Sequence, residues 1–247
     1  MLRATIHPSA QIASDVVLGE YTVVGEGVKI GSGTIVGNGC VLHNDTIIGR
    51  DARLFDNAVI GRVPQRVASM TRAMTTILPP LRIGDGCVVG ACAVLYRGTI
   101  VGEACLIGDL ATIREEVEIG GDSVIARLVS INYNTQIGRR VKIMDNSHIT
   151  GNMTIEDGVF VSVLVSTTND KDMDRRKNSE ASYNGPTIRR GASIGAAATL
   201  LPGVTVGEYA MVGAGAHVYR DVPPRKIAMG SPARVVRDVP ADMISDN

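Results

Sequence analysis

An aliphatic residue stands at every sixth position of this chain over three long runs. The first goes from Ile6 through Ile12, Leu18 and Val24 to Ile60, the second from Ile83 to Val161, and the third from Ile188 to Val218. Together they hold thirty aliphatic positions without a miss inside any run. Two residues before each one the side chain is usually small or β-branched, as at Ala10, Thr22, Cys87, Ala93, Thr99, Ser123 and Ala192. A helix repeats every 3.6 residues and a lone strand every two, so neither explains a period of six. One short strand and one corner per unit does. The aliphatic residue and the one two before it then face inward, and the residue between them faces out. Half of the units place Gly directly after the aliphatic residue, as at Gly19, Gly31, Gly84 and Gly108. That suits a corner needing an unusual backbone angle or a close approach. The pattern predicts an all-β chain, a parallel β-helix of six-residue units.

Composition agrees with many short strands and tight turns: 28 Gly, six Tyr, two Phe and no Trp leave little for an aromatic core. Twenty-five basic residues balance twenty-five acidic ones, which points to no nucleic-acid partner. The cysteines (Cys40, Cys87, Cys92, Cys105) form no C-x-x-C pair and read as reduced, partly buried thiols. "MLRATIHPSAQIAS" lacks the layout of a signal peptide, and no apolar run approaches the length of a membrane span. The expectation is a soluble cytoplasmic protein with no membrane partner.

Two segments break the rhythm. Residues 61–82, "GRVPQRVASMTRAMTTILPPLR", carry four arginines, three prolines and no acid. They read either as a solvated excursion or as a basic loop meeting a phosphate-bearing ligand. The second excursion, residues 168–186, is polar and charged, and a loop of that length in a compact repeat is usually functional or disordered. The chain divides accordingly into N-terminal coils 1–60, the excursion 61–82, a main body 83–218 from which 168–186 projects, and a tail 219–247.

Units such as "IGDGCVVGACAV" and "IGRRVKIMDNSHI", followed by "VGAGAHVYRDVPPRKIAMGSPARVV", resemble the hexapeptide-repeat acyltransferase superfamily over nearly the whole chain. The resemblance implies a left-handed β-helix with three units per coil, about ten coils, assembled as a homotrimer with sites between subunits. The hand comes from the family, since general physics favours right-handed parallel crossovers.

With three units per coil, residues 18 apart stack. One outward column then reads Val94, Thr112, Ser130, His148, Ser166. The corner after it reads Arg97, Glu115, Tyr133, Gly151, Asn169, beside Gly98, Glu116, Asn134, Asn152 and Asp170. The corner before it holds Asp109 and Asp145. From Ala126 to Ser162 the corner glycine is almost absent, which puts side chains on the outside.

Acyl transfer from a thioester needs a nucleophile, a proton acceptor and a donor aimed at the developing oxyanion. No Ser-His-Asp pattern stands out, so direct attack by the acceptor is simpler than an acyl-enzyme. His148 points outward and titrates near neutrality, so it reads either as a base or as an ordinary surface or interface histidine. As the base it would fit O-acetylation of a sugar or small hydroxyl compound. The segment "LIGDLATIREEVEIG", with "STTND" and "PPRKIAMGSPARVV", looks most like the branch that N-acylates amino groups on nucleotide-linked sugars. That likeness implies a carboxylate, Asp109 or Glu115, holding the ammonium and taking its proton. The other reading makes both acids solvated corners paired with Arg97 or Arg127. Asn169 and Asp170 match the branch's "TTND" and, with Tyr133, Asn134 and Asn152, are expected to line the acceptor pocket. The segment from Gly191 to Val218 resembles the coenzyme A half of family members. Ala196 and Ala214 stand at its small corners, with Lys226, Arg234 and Arg237 as the available cations. The expectation is thus acetyl-CoA as donor, a nucleotide-linked amino sugar as small-molecule acceptor, and no metal. His7, His43, His148 and His217 are too scattered for the three-histidine zinc site of γ-type carbonic anhydrases. A non-catalytic scaffold stays open.

Overall fold

The computed structural model describes residues 4–67, 70, 74–75, 77–173, 175 and 183–244. Two-residue strands follow one another with the hexad and wind into three parallel sheets of 11, 10 and 12 strands. The first face runs from Thr5–Ile6 to His217–Val218, the second from Gln11–Ile12 to Thr205–Val206. The third runs from Val17–Leu18 to Met211–Val212, continues through Lys226–Met229 and closes on the antiparallel strand Arg234–Asp238. The tail beyond Val218 thus adds one more rung to the stack. The result is a left-handed parallel β-helix of about eleven coils, roughly 50 Å long at about 4.8 Å per rung.

Register follows the eighteen-residue winding. Val94 pairs with Thr112, Thr112 with Ser130, Ser130 with His148 and His148 with Ser166. It jumps twice, where Ile47 pairs with Arg82 and Thr154 with Thr187. Both excursions therefore leave from one edge, the corner between the first and second faces. Inside, Leu95, Ile107, Ile113, Ile125, Ile131, Ile143 and Ile149 are fully buried and form one continuous core with the small residues that precede them. The glycine after the aliphatic residue serves close approach: a Cβ at Gly31 would stand 2.6 Å from the carbonyl carbon of Gly49 in the next coil.

The small inward residues do more than fill space. Thr22 donates its hydroxyl to the Gly37 carbonyl (2.8 Å), Thr34 to Gly49 (2.9 Å), Thr99 to Arg114 (2.8 Å) and Ser147 to Ser162 (2.8 Å). Each spans fifteen residues to the corner of the coil above, where the carbonyl would otherwise be unsatisfied. Thr46 breaks the series. Fifteen residues on lies Gly61, where the chain turns out into the first excursion, and the buried Thr46 hydroxyl has no hydrogen-bond partner among the described residues. Thr46→Val is accordingly expected to leave stability unchanged or raise it by about 1 kcal/mol, whereas Thr99→Val should cost about 1 kcal/mol or more by orphaning a carbonyl. Urea unfolding of the two variants measures the contrast.

Candidate functional site

The first face and its two corners collect most of the polar residues singled out by the eighteen-residue stacking. His148 lies on the face itself, half-buried between Ser130 and Ser166. Its ring makes no hydrogen bond to another described side chain, and burial lowers its pKa. The imidazole is therefore neutral at pH 7, with a lone pair free.

At the corner towards the second face, Tyr133, Asn134, Asn152, Asn169 and Asp170 come together over three coils. Gly151 makes this possible, because a Cβ there would stand 2.7 Å from the Tyr133 ring that lies over it. Asn169 donates its amide to the Gly151 carbonyl (3.1 Å) and at 3.4 Å to the Tyr133 hydroxyl. Asn134 donates to the Asn152 side-chain oxygen (2.9 Å), and Asn152 to the Tyr183 carbonyl (2.7 Å). Glu116, Asn134 and Asn152 share the left-handed backbone region, with φ of 59°, 50° and 60°. Asparagine tolerates it well because its side chain can bond locally. The Asp170–Tyr183 bridge and a bond from the Asn184 N–H to the Asn169 carbonyl (3.0 Å) close the root of the second excursion over this corner. Tyr183 was missed by the sequence reading. It belongs to no hexad, and its being the one aromatic residue of 168–186 was the available signal.

The two candidate carboxylates look different in three dimensions. Glu115, expected as an outward corner, is only 2% exposed. Its two oxygens accept from Nε and a terminal nitrogen of Arg114 at 2.9 and 3.2 Å. A buried, paired carboxylate of this kind is costly to separate from its cation. Asp109 lies at the opposite corner and accepts the Ala91 N–H at 2.8 Å. It is one of a column of clips: Asn38 takes the Glu20 N–H, Asp56 the Asn38 N–H and Asp145 the Arg127 N–H, each joining one coil to the next. The arginines once matched to these acids are engaged elsewhere, Arg97 with Asp45 (3.1 Å) and Arg127 with Asp145 (2.9 Å).

The residues assigned to coenzyme A do not converge. Ala196 and Ala214 stack at the corner between the third and first faces, where the Gly215 N–H donates to the Ala196 carbonyl (2.8 Å). Their small side chains leave that edge open, and a Cβ at Gly215 would meet nothing within 4 Å. Lys226 is on the third face and forms an ion pair with Asp238, so its charge is already met. Arg234 crosses the top of the first face to the Tyr219 hydroxyl, its guanidinium 5.2 Å from the ring centre. Arg237 is exposed. Among the described residues no three His, Cys, Asp or Glu side chains gather as a metal site, and no helix is long and apolar enough to cross a membrane.

No protein-family model matches the chain. Among curated proteins, it is 48% identical over 54 residues to a dTDP-3-amino-3,6-dideoxy-alpha-D-galactopyranose 3-N-acetyltransferase of Aneurinibacillus thermoaerophilus, covering 22% of this chain and 28% of that one. It is 35% identical over 114 residues to the galactoside O-acetyltransferase of Escherichia coli K12, covering 41% and 56%. The matches thus span about half or less of these relatives. Among solved structures, a UDP-N-acetylglucosamine O-acyltransferase from Moraxella catarrhalis superposes with a TM-score of 0.58 at 21% identity, over 97% of this chain and 74% of that one. An Arabidopsis UDP-N-acetylglucosamine acyltransferase gives 0.57 at 18% identity, over 95% and 74%. At those identities the superpositions speak for the fold alone. The six-residue repeat and the β-helix thus go together with partial sequence matches to acetyltransferases, a likeness to the hexapeptide-repeat acyltransferase superfamily.

Proposed function

We propose that this protein transfers an acyl group, acetyl in the simplest case, from coenzyme A to the amino group of a nucleotide-linked amino sugar. The observation that carries this reading is the uncharged cluster of Tyr133, Asn134, Asn152 and Asn169 beside a free, neutral imidazole on one face. Phenol and amide groups suit sugar hydroxyls, since they both donate and accept without the cost of burying a charge.

In the proposed reaction the amine nitrogen attacks the thioester carbonyl carbon, forming the C–N bond. His148 accepts the proton lost from nitrogen. The C–S bond then breaks, and the thiolate of coenzyme A leaves and takes up a proton. Asp109 and Glu115 contribute by position, one tying coils together and the other balancing Arg114. Ala196 and Ala214 leave backbone open for the pantetheine arm, and Arg234 and Arg237 are the cations left for its phosphates.

The site lies between subunits of a homotrimer in this reading. Leu110, Leu128 and Leu164 line the corner between the third and first faces, 53%, 48% and 58% exposed, all with φ of 60°. Leucine in the left-handed region costs about 1–2 kcal/mol with no local return. An apolar row kept outside at that cost supports a surface covered in the assembly.

The neutral His148 equally favours a second reading, O-acylation of a hydroxyl. Thiol release from acetyl-CoA, measured against nucleotide-linked amino sugars, free amino sugars and amine-free sugars, separates the two. Release with the nucleotide-linked amines is the expected result. Release with amine-free sugars alone selects the second reading, and none with any acceptor leaves a non-catalytic scaffold.

A further inference from the structure

Two coils below Tyr133, the same edge carries a cationic group that acyl transfer does not use. The Tyr96 ring has the Arg114 guanidinium 5.0 Å from its centre and that of Arg62 at 5.5 Å. Arg114 is neutralised by Glu115. Arg62 is exposed, and no carboxylate pairs with it among the described residues. Four residues on, Arg66 is also exposed and unmatched among the described residues. It lines a cavity of about 720 Å³ between the first excursion and the corner, with Asn44, Thr75, Leu78 and Arg97. The neighbouring acids are engaged: Asp45 holds Arg97, and Glu116 accepts the Thr75 hydroxyl at 3.3 Å. His43 is driven towards its neutral form, first by burial and then by the charge of Arg62, so it adds no competing cation.

The end of the first excursion is fastened to this corner. Arg97 donates to the Leu78 carbonyl (2.9 Å) and to the Asn44 carbonyl (2.9 Å). Leu78 and Leu81 are buried beneath it. Arg62 is the last residue of its strand, so its position is set by the β-helix itself. Two guanidiniums that no carboxylate pairs with among the described residues, Arg62 on the β-helix edge and Arg66 on the excursion, favour a dianionic group, and the fork of an arginine matches phosphate oxygens two at a time. Tyr96 lies two rungs from Tyr133 and Arg62 three, about 10 and 14 Å. That is the reach of a sugar ring with its diphosphate.

We propose that Arg62 and Arg66, with Tyr96 between the arginines of the edge, form the diphosphate subsite of the acceptor. The ligand is a nucleoside diphosphate sugar whose sugar ring lies up the edge at Tyr133 and Asn169. This rests on the nucleotide-linked acceptor proposed above, and it adds where the diphosphate sits.

Calorimetric titration of the full chain with dTDP, UDP and inorganic pyrophosphate tests it. Arg62→Gln and Arg66→Gln should each weaken dTDP or UDP binding at least tenfold. Arg62→Lys should weaken it less, and binding should fall steeply with salt. Thermal melting of each variant checks the fold. Wild-type affinity in both glutamine variants, or no nucleotide binding by the unaltered chain, overturns the subsite. Arginine-dependent nucleotide binding without any thiol release leaves the subsite standing and removes the transferase reading. Turnover of a nucleotide-linked amine with an unchanged KM in both variants does the reverse.

Discussion

Replacing His148 by alanine is expected to lower kcat for acyl transfer by about 10²–10⁴, the contribution typical of a positioned base. The fold should be untouched, because the side chain stands outside the core between Ser130 and Ser166. The pH dependence carries a sign. Burial disfavours the imidazolium, so the His148 pKa lies below its ordinary value of 6.5. kcat/KM should rise with pH, with its midpoint below 6.5, and stay flat through neutrality. Folding stability carries the same sign: the unfolded chain binds the proton more readily, so this contribution is present above the unfolded pKa and is lost as pH falls below it. A His148→Ala variant within threefold of wild-type turnover would remove the base from the mechanism. A midpoint above 7 would mean that a different group titrates.

The second large effect concerns the leucine row. Leu110, Leu128 and Leu164 share their column with Asn146, which has the same φ of 60°. Asparagine accepts that backbone at lower cost, so changing all three leucines to asparagine should leave the single chain as stable as before, or more so. Association should suffer. Each leucine that is covered in the assembly contributes about 1.5–3 kcal/mol of burial, so losing three per subunit raises the dissociation constant by several orders of magnitude. Sedimentation equilibrium is expected to show wild-type trimers, with variant monomers that have lost transferase turnover. A variant that sediments like wild type and keeps its turnover contradicts the trimer arrangement.

The parts of this architecture that depend on period were legible from the residues. Ile113, Ile131 and Ile149 had to face inward, and the column Thr112, Ser130, His148, Ser166 had to face outward, because a two-residue strand leaves no other choice. Corners are another matter. The direction of a corner side chain depends on the sign of φ and on what the next coil presents, and neither is written in the spacing. Glu115 therefore read as an outward corner, although it is buried and paired with its sequence neighbour Arg114. Asp109 read either as the acid holding the acceptor or as an arginine-paired corner, and its backbone clip, shared with Asn38, Asp56 and Asp145, went unseen. Lys226 looked like an available cation because its partner, Asp238, comes from a hairpin strand outside the hexad. The leucine row escaped the reading because the pattern weighed the residue directly after each aliphatic position, and Leu110, Leu128 and Leu164 stand two residues further on.

The account stands on one location, the first face with its corner towards the second. A crystal structure with coenzyme A and a nucleotide-linked amino sugar tests it most directly. The account predicts the sugar amine within hydrogen-bonding reach of His148, with the ring against Tyr133 and Asn169. Density for the acceptor on the second or third face, away from the root of the 168–186 excursion, would contradict it.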